Sequence, residues 1–109
     1  MGEIKELTKK ILEFRDERNW AQFHTGKDLA MCLNVEAGEL LELFLWKKDE
    51  EVNTDKLKAE LADVFYSALL LAHQYNLDVN DIVVNKIKSN AEKYPVEKFK
   101  DSNKKYDQM

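Results

Sequence analysis

Asn34-Val35-Glu36-Ala37-Gly38-Glu39-Leu40-Leu41-Glu42 carries Glu36 and Glu39 three residues apart, with Glu42 following, and Glu60-Leu61-Ala62-Asp63-Val64 carries Glu60 and Asp63 at the same spacing. Both runs read as helix. Positions i and i+3 share one helix face, so Glu36 with Glu39, and Glu60 with Asp63, each point one way. Antiparallel helices joined by a short loop let the two pairs face each other across a seam. Four carboxylates aimed at one point repel unless a cation lies between them, and hard divalent cations such as Mg2+ take oxygen ligands of this kind.

Working outward, the helix that carries the first pair is expected to run from about Lys27 to Trp46. Between Leu29 and Trp46 it holds no Lys or Arg, and Glu36, Glu39 and Glu42 are its only charges. A helix apolar on nearly all sides is a buried helix, and acids in such a place are costly unless paired or metal-bound. Glu42 reads equally as a solvated edge. The helix of the second pair is expected over about 55–75, capped by Asn53 or Thr54. Lys56 and Glu60 are i,i+4 neighbours, which leaves Glu60 a second reading as half of a surface ion pair. Asp63 lacks that partner and opens the apolar run Val64 to Ala72. Two such helices present more apolar surface than a chain of 109 residues covers alone. Part of each is therefore expected to lie against another subunit through a symmetric contact.

Composition agrees with a helical chain. Hydrophobic residues make up 44% and charged residues 35%, with three Gly and one Pro, so breakers are few. The length suits one domain. The formal net charge of −4 argues against non-specific binding to polymeric nucleic acid, which depends on neutralising phosphates. No apolar stretch is long enough to span a bilayer, and no N-terminal signal segment is read. The single Cys32 has no internal disulfide partner, points to a reducing cytoplasm, and is expected as a small core residue.

The remaining segments frame these two helices. Residues 3–18 carry Ile4, Leu7, Ile11, Leu12 and Phe14 as the stripe of an amphipathic packing helix. Residues 19–26 break the period with Trp20, Phe23 and His24, which either contact a ligand from a loop or plug the end of the bundle. Thr25 with Asp28 has the spacing of a helix cap. Residues 47–53 form a charged loop. Asp78 and Asp81 are expected to cap a fourth helix over about 79–93. On it Lys86, Asn90 and Tyr94 form one row, either a solvated face or a set of contacts to phosphate and hydroxyl oxygens. His73, near a helix C-terminus, suits a dipole or cap contact. Pro95 ends the fourth helix, and residues 96–109 are expected to be irregular, anchored by Phe99 and Tyr106.

The order Trp20-Ala-Gln-Phe-His24, Glu36-x-x-Glu39-Leu-x-Glu-Leu-Phe-x-Trp46, Glu60-x-x-Asp63-Val-x-x-Tyr66, then Lys86-x-x-x-Asn90-x-x-x-Tyr94-Pro95 resembles the all-α nucleoside triphosphate pyrophosphatases of the MazG-like group, most of all their dCTP pyrophosphatase type. The resemblance runs from Leu7 to Tyr106. It implies a single all-α, four-helix bundle-like domain over residues 1–109 that forms homodimers or homotetramers, with nucleotide pool cleansing or modified-nucleotide disposal as its task. It implies Mg2+-dependent hydrolysis of a (d)NTP, dCTP or a modified cytosine nucleotide, to the monophosphate and pyrophosphate. By the same resemblance Glu36, Glu39, Glu60 and Asp63 hold metal and carry the catalysis; Glu39 is expected as general base only from its place mid-helix beside that metal site. Trp20 and Trp46 stack on the base with His24 close by, Tyr66 lines the pocket, and Lys86, Asn90 and Tyr94 contact sugar and phosphates. The tail around Lys104 and Lys105 closes over the phosphates.

Departures from the pattern are Gly26 where relatives often carry Pro, expected to loosen the loop, Ile11 where animal relatives carry His near the base, and a short 47–53 loop. Two other activities compete: a broad-specificity or dUTP-preferring pyrophosphatase, and a non-catalytic helical dimerisation or regulatory module. A di-iron bundle needs Glu-x-x-His motifs, and neither His24 nor His73 follows a Glu by three residues.

Overall fold

A computed structural model describes residues 2–103, and the described residues are helical, with no strand among them. The α-helices are α1 (Glu3–Glu17), α2 (Gly26–Glu42), α3 (Thr54–Gln74), α4 (Val79–Lys93) and a single-turn α5 (Val96–Phe99), with 3-10 turns at Trp20–Phe23 and Asp49–Glu51. The chain falls into two compact units, Met1–Leu77 and Asp78–Met109.

In the first unit, side-chain caps start the two central helices where the sequence places them. Thr25 Oγ1 accepts from the Asp28 amide at 3.1 Å, and Asn53 Oδ1 from the Lys56 amide at 3.1 Å. The second bond settles the choice of Asn53 over Thr54. Helices α2 and α3 pack along each other. Gly26 at the start of α2 meets Tyr75 just past α3, while Glu36 further along α2 meets Asp63 further back on α3, so the pair is antiparallel. Gly26 has a packing reason of its own. A Cβ there would stand 2.9 Å from two Tyr75 ring carbons and inside contact distance of the hydroxyl oxygen, so any larger residue would push Tyr75 aside.

The buried apolar residues of this unit are Ile11, Leu29, Leu69, Leu70 and Ala72, with Leu70 only 2% exposed. They gather where the start of α2 meets the end of α3. Along the same two helices Met31, Val35, Leu41, Leu61 and Phe65 remain exposed. Cys32 is exposed as well, contrary to its expected core position. The apolar run around it is wider than the face that α3 covers.

Helix α2 also ends earlier than the sequence reading has it, at Glu42 rather than Trp46. Its last turn tightens into i→i+3 bonds, Phe44 N to Leu41 O at 2.9 Å and Lys47 N to Phe44 O at 3.2 Å. Trp46 then takes φ 63°, the left-handed conformation that commonly stops a helix but is uncommon for a residue with a Cβ. No Gly or Pro in the sequence announces this stop.

In the second unit, Asp78 Oδ1 accepts from the Asp81 amide at 3.0 Å and starts α4 as expected. Pro95 separates α4 from α5. The tail is therefore not wholly irregular: Lys98 and Phe99 amides both donate to the Pro95 carbonyl at 3.0 Å, and the Phe99 ring packs edge-on against Tyr94 at 4.8 Å. Lys104, Lys105 and Tyr106 lie outside the described residues. No helix among the described residues is long and apolar enough to cross a membrane.

Candidate functional site

The α2–α3 seam brings together carboxylates of Glu36, Glu60 and Asp63, one oxygen from each lying within 4.8 Å of the others. The i,i+3 spacing puts Glu60 and Asp63 on one face of α3, and the antiparallel packing sets Glu36 opposite them. Glu36 and Glu60 are half-buried and Asp63 is exposed. Oε2 of Glu36 and Oε2 of Glu60 are both buried without a hydrogen-bond partner. Partial burial, then the charges of Asp63, Glu39 and Glu60, push the Glu36 carboxyl above its usual 4.5. Burial likewise raises Glu60, followed by Glu39 beside it, Asp63 and Glu42. Among the described residues no ion pair joins Lys56 to Glu60, so the bland reading of Glu60 does not hold.

Orphaned buried acceptors beside like charges are the reverse of a self-sufficient polar network. They suit a small divalent cation. Two oxygens bound to one Mg2+-sized ion at about 2.1 Å stand at most about 4.2 Å apart, so the three acids need close only slightly. Glu39 is exposed and flanks the trio, near enough to both Glu36 and Glu60 to raise their carboxyls.

The aromatic residues divide. Trp20, on the 3-10 turn, meets Phe14 of α1 edge-on with ring centroids 5.7 Å apart, and Phe14 meets Tyr66 of α3 at 6.4 Å. Tyr66 lies one turn beyond Asp63, so this aromatic chain reaches the acid helix. Burial raises the Tyr66 hydroxyl, while the guanidinium groups of Arg15 and Arg18 pull it the other way. His24 closes the turn, its Nδ1 buried and unpartnered. Trp46 is fully exposed at 100%, and no ring contact joins it to Trp20 among the described residues. Lys86 and Asn90 are exposed on α4 in the second unit, and Tyr94 ends that helix. Arg15 and Arg18 are additions to the residues expected from sequence, and Phe14, expected only as part of a packing stripe, joins them. The available signal was Phe14 and Arg18 at i,i+4 just before Trp20.

Comparison with known proteins follows the same lines. The profile of the MazG-like family matches residues 31–109. The chain is 34% identical to mouse dCTP pyrophosphatase 1 over 111 residues, 94% of this chain and 65% of the relative. Against human dCTP pyrophosphatase 1 it is 32% identical over 114 residues, 97% of this chain and 67% of the relative. The chain thus spans about 65% of the length of the mouse protein. A pyrophosphatase of Archaeoglobus fulgidus superposes with a TM-score of 0.81 at 34% identity, over 87% of this chain and 94% of that one.

Proposed function

The chain belongs to the MazG-like family, and we propose that it is a Mg2+-dependent nucleoside triphosphate pyrophosphatase that takes dCTP or a modified cytosine nucleotide in preference to other (d)NTPs. The observation that carries this reading is the convergence of Glu36, Glu60 and Asp63 with two orphaned buried oxygens. The two mammalian relatives are named dCTP pyrophosphatase, which supports the choice of base.

In this reading Glu36, Glu60 and Asp63 hold the cation. Bound there, Mg2+ supplies a Lewis acid that neutralises phosphate charge and activates water. Glu39, exposed at the edge of the trio, accepts at a carboxylate oxygen the proton of the water that attacks the α-phosphorus. The bond from that phosphorus to the bridging oxygen breaks, and pyrophosphate leaves with the electron pair. Trp20 and Tyr66 flank the base, His24 stands by it, and Trp46 offers an exposed indole for stacking on it. The resemblance alone assigns sugar and phosphate contacts to Lys86, Asn90 and Tyr94. Positioning and electrostatics supply most of the acceleration.

Pyrophosphate release from a panel of dNTPs and NTPs, with Mg2+ and with EDTA, tests the proposal. Mg2+-dependent release, strongest with a cytosine nucleotide, is expected. Release of orthophosphate instead would overturn the cleavage site. Trp46→Ala should raise KM about tenfold, the scale of one lost base–aromatic stack, with kcat within about twofold. A lowered kcat at unchanged KM would contradict a base-holding role.

The working form is a homodimer or homotetramer. Exposed Met31, Val35, Leu41, Leu61 and Phe65 on α2 and α3 supply the contact surface. Sedimentation at micromolar concentration should show no stable monomer. An exposed, unpaired Cys32 suits a reducing cytoplasm.

A further inference from the structure

Arg18 closes α1 in a constrained position. Its guanidinium carbon lies 3.8 Å from the centre of the Phe14 ring and 5.9 Å from that of Trp20. Its Nη1 donates to the Phe14 carbonyl at 2.9 Å, which fixes the plane of the group against the ring. Asn19 follows with φ 54°, a left-handed conformation that Asn tolerates better than most residues. That single residue turns the chain back so that Trp20 lands on the Phe14–Arg18 pair. The amide of Asn19 donates to the Asp16 carbonyl at 3.0 Å, and Gln22 Nε2 donates to the Asn19 carbonyl at 3.0 Å, holding the turn from both sides. Trp20 still keeps 42% of its surface exposed, so one side of the indole is held and another is open.

We propose that Phe14 and Arg18 are positioning residues: they set the Trp20 indole and, through the Phe14 ring, the Tyr66 ring as one preformed wall for the nucleotide base beside the acid trio. The idea rests on the pyrophosphatase reading for its substrate. The Phe14 ring meets both Trp20 of the aromatic turn and Tyr66 of the acid helix. Arg18 serves where Lys would not, because a flat guanidinium stacks on a ring face while a solvated ammonium does not. Its pair with Glu17, at 3.5 Å between exposed side chains, adds little. A wall ordered in advance lowers the ordering cost of binding, and its loss belongs to KM rather than to the chemical step.

Arg18→Lys tests this, since Arg18 is partly exposed and its replacement spares the core. Two readouts are needed. In pyrophosphate release beside wild type, KM should rise about threefold to fivefold, the size of a cation–π contact converted to affinity, with kcat within about twofold. In a Trp46→Phe background without nucleotide, acrylamide should quench Trp20 fluorescence more steeply in Arg18→Lys than in Arg18. Wild-type KM together with unchanged quenching overturns the proposal, as does a fall in kcat at constant KM. If wild type releases no pyrophosphate, the activity assignment fails, and the quenching comparison still decides whether Arg18 holds Trp20. Phe14→Leu should raise quenching further, and equal quenching there would likewise overturn the proposal.

Discussion

Glu36→Gln is expected to cut turnover by roughly a thousandfold while raising the melting temperature of the metal-free protein. The two effects share one cause. Glu36 sits half-buried among Glu39, Glu60 and Asp63, and its charged form is disfavoured in the fold. A neutral isostere relieves that repulsion, and its amide can donate to a neighbouring carboxylate where Oε2 now has no partner. Charge stabilisation by a bound metal is worth several kcal/mol, and at about 1.4 kcal/mol per tenfold a loss of about 4 kcal/mol is a thousandfold in rate. Functional sites often hold such unfavourable groups at the expense of stability. Pyrophosphate release and thermal denaturation in EDTA check the pair of outcomes. A variant that keeps wild-type turnover removes Glu36 from the metal site.

The second large effect is the response of stability to cation and pH together. Glu36 and Glu60 are both raised above 4.5 in the folded protein. Above 4.5 the folded chain therefore holds more protons than the unfolded chain. Stability contributed by these groups is present at lower pH and falls as pH rises through the raised values. In EDTA the melting temperature should accordingly drift down across that window. A divalent cation reverses the trend, because it needs the carboxylates ionised and competes with their protons. At a hundred times its dissociation constant a ligand adds about 2.7 kcal/mol, or roughly 10 °C for a domain of this size. Melting curves from pH 4.5 to 8, with EDTA and with Mg2+, should diverge as pH rises. Parallel curves would show that the trio binds no cation.

The acid pairs were legible because helical periodicity alone places i and i+3 on one face, and the caps at Thr25, Asn53 and Asp78 because their bonds are local. Nothing local reveals that α2 stops at Glu42, since no Gly or Pro follows and the stop falls on a left-handed Trp46. Cys32 misleads for a different reason: an apolar run marks a buried helix only if one chain supplies enough partners. Phe14 and Arg18 look like any stripe and any charge on an amphipathic helix. Their contact with Trp20 exists only because Asn19 reverses the chain, a backbone event that side-chain patterning does not encode.

The uneven distribution of buried residues along the α2–α3 seam carries a dynamic consequence. Leu29, Leu69, Leu70 and Ala72 are buried toward one end, whereas the acids lie toward the end where α2 runs out at Glu42 and α3 begins at Thr54. Breathing of such a pair is directional. In hydrogen exchange, amides near residues 69–72 are expected to open only with the whole unit, and those near 39–42 and 56–60 through smaller openings that leave the buried end intact; equal protection at both ends would contradict this. For the proposed activity, ligand entry and product escape would then need only the loose end to part, because the acid trio sits on the half of the seam expected to yield.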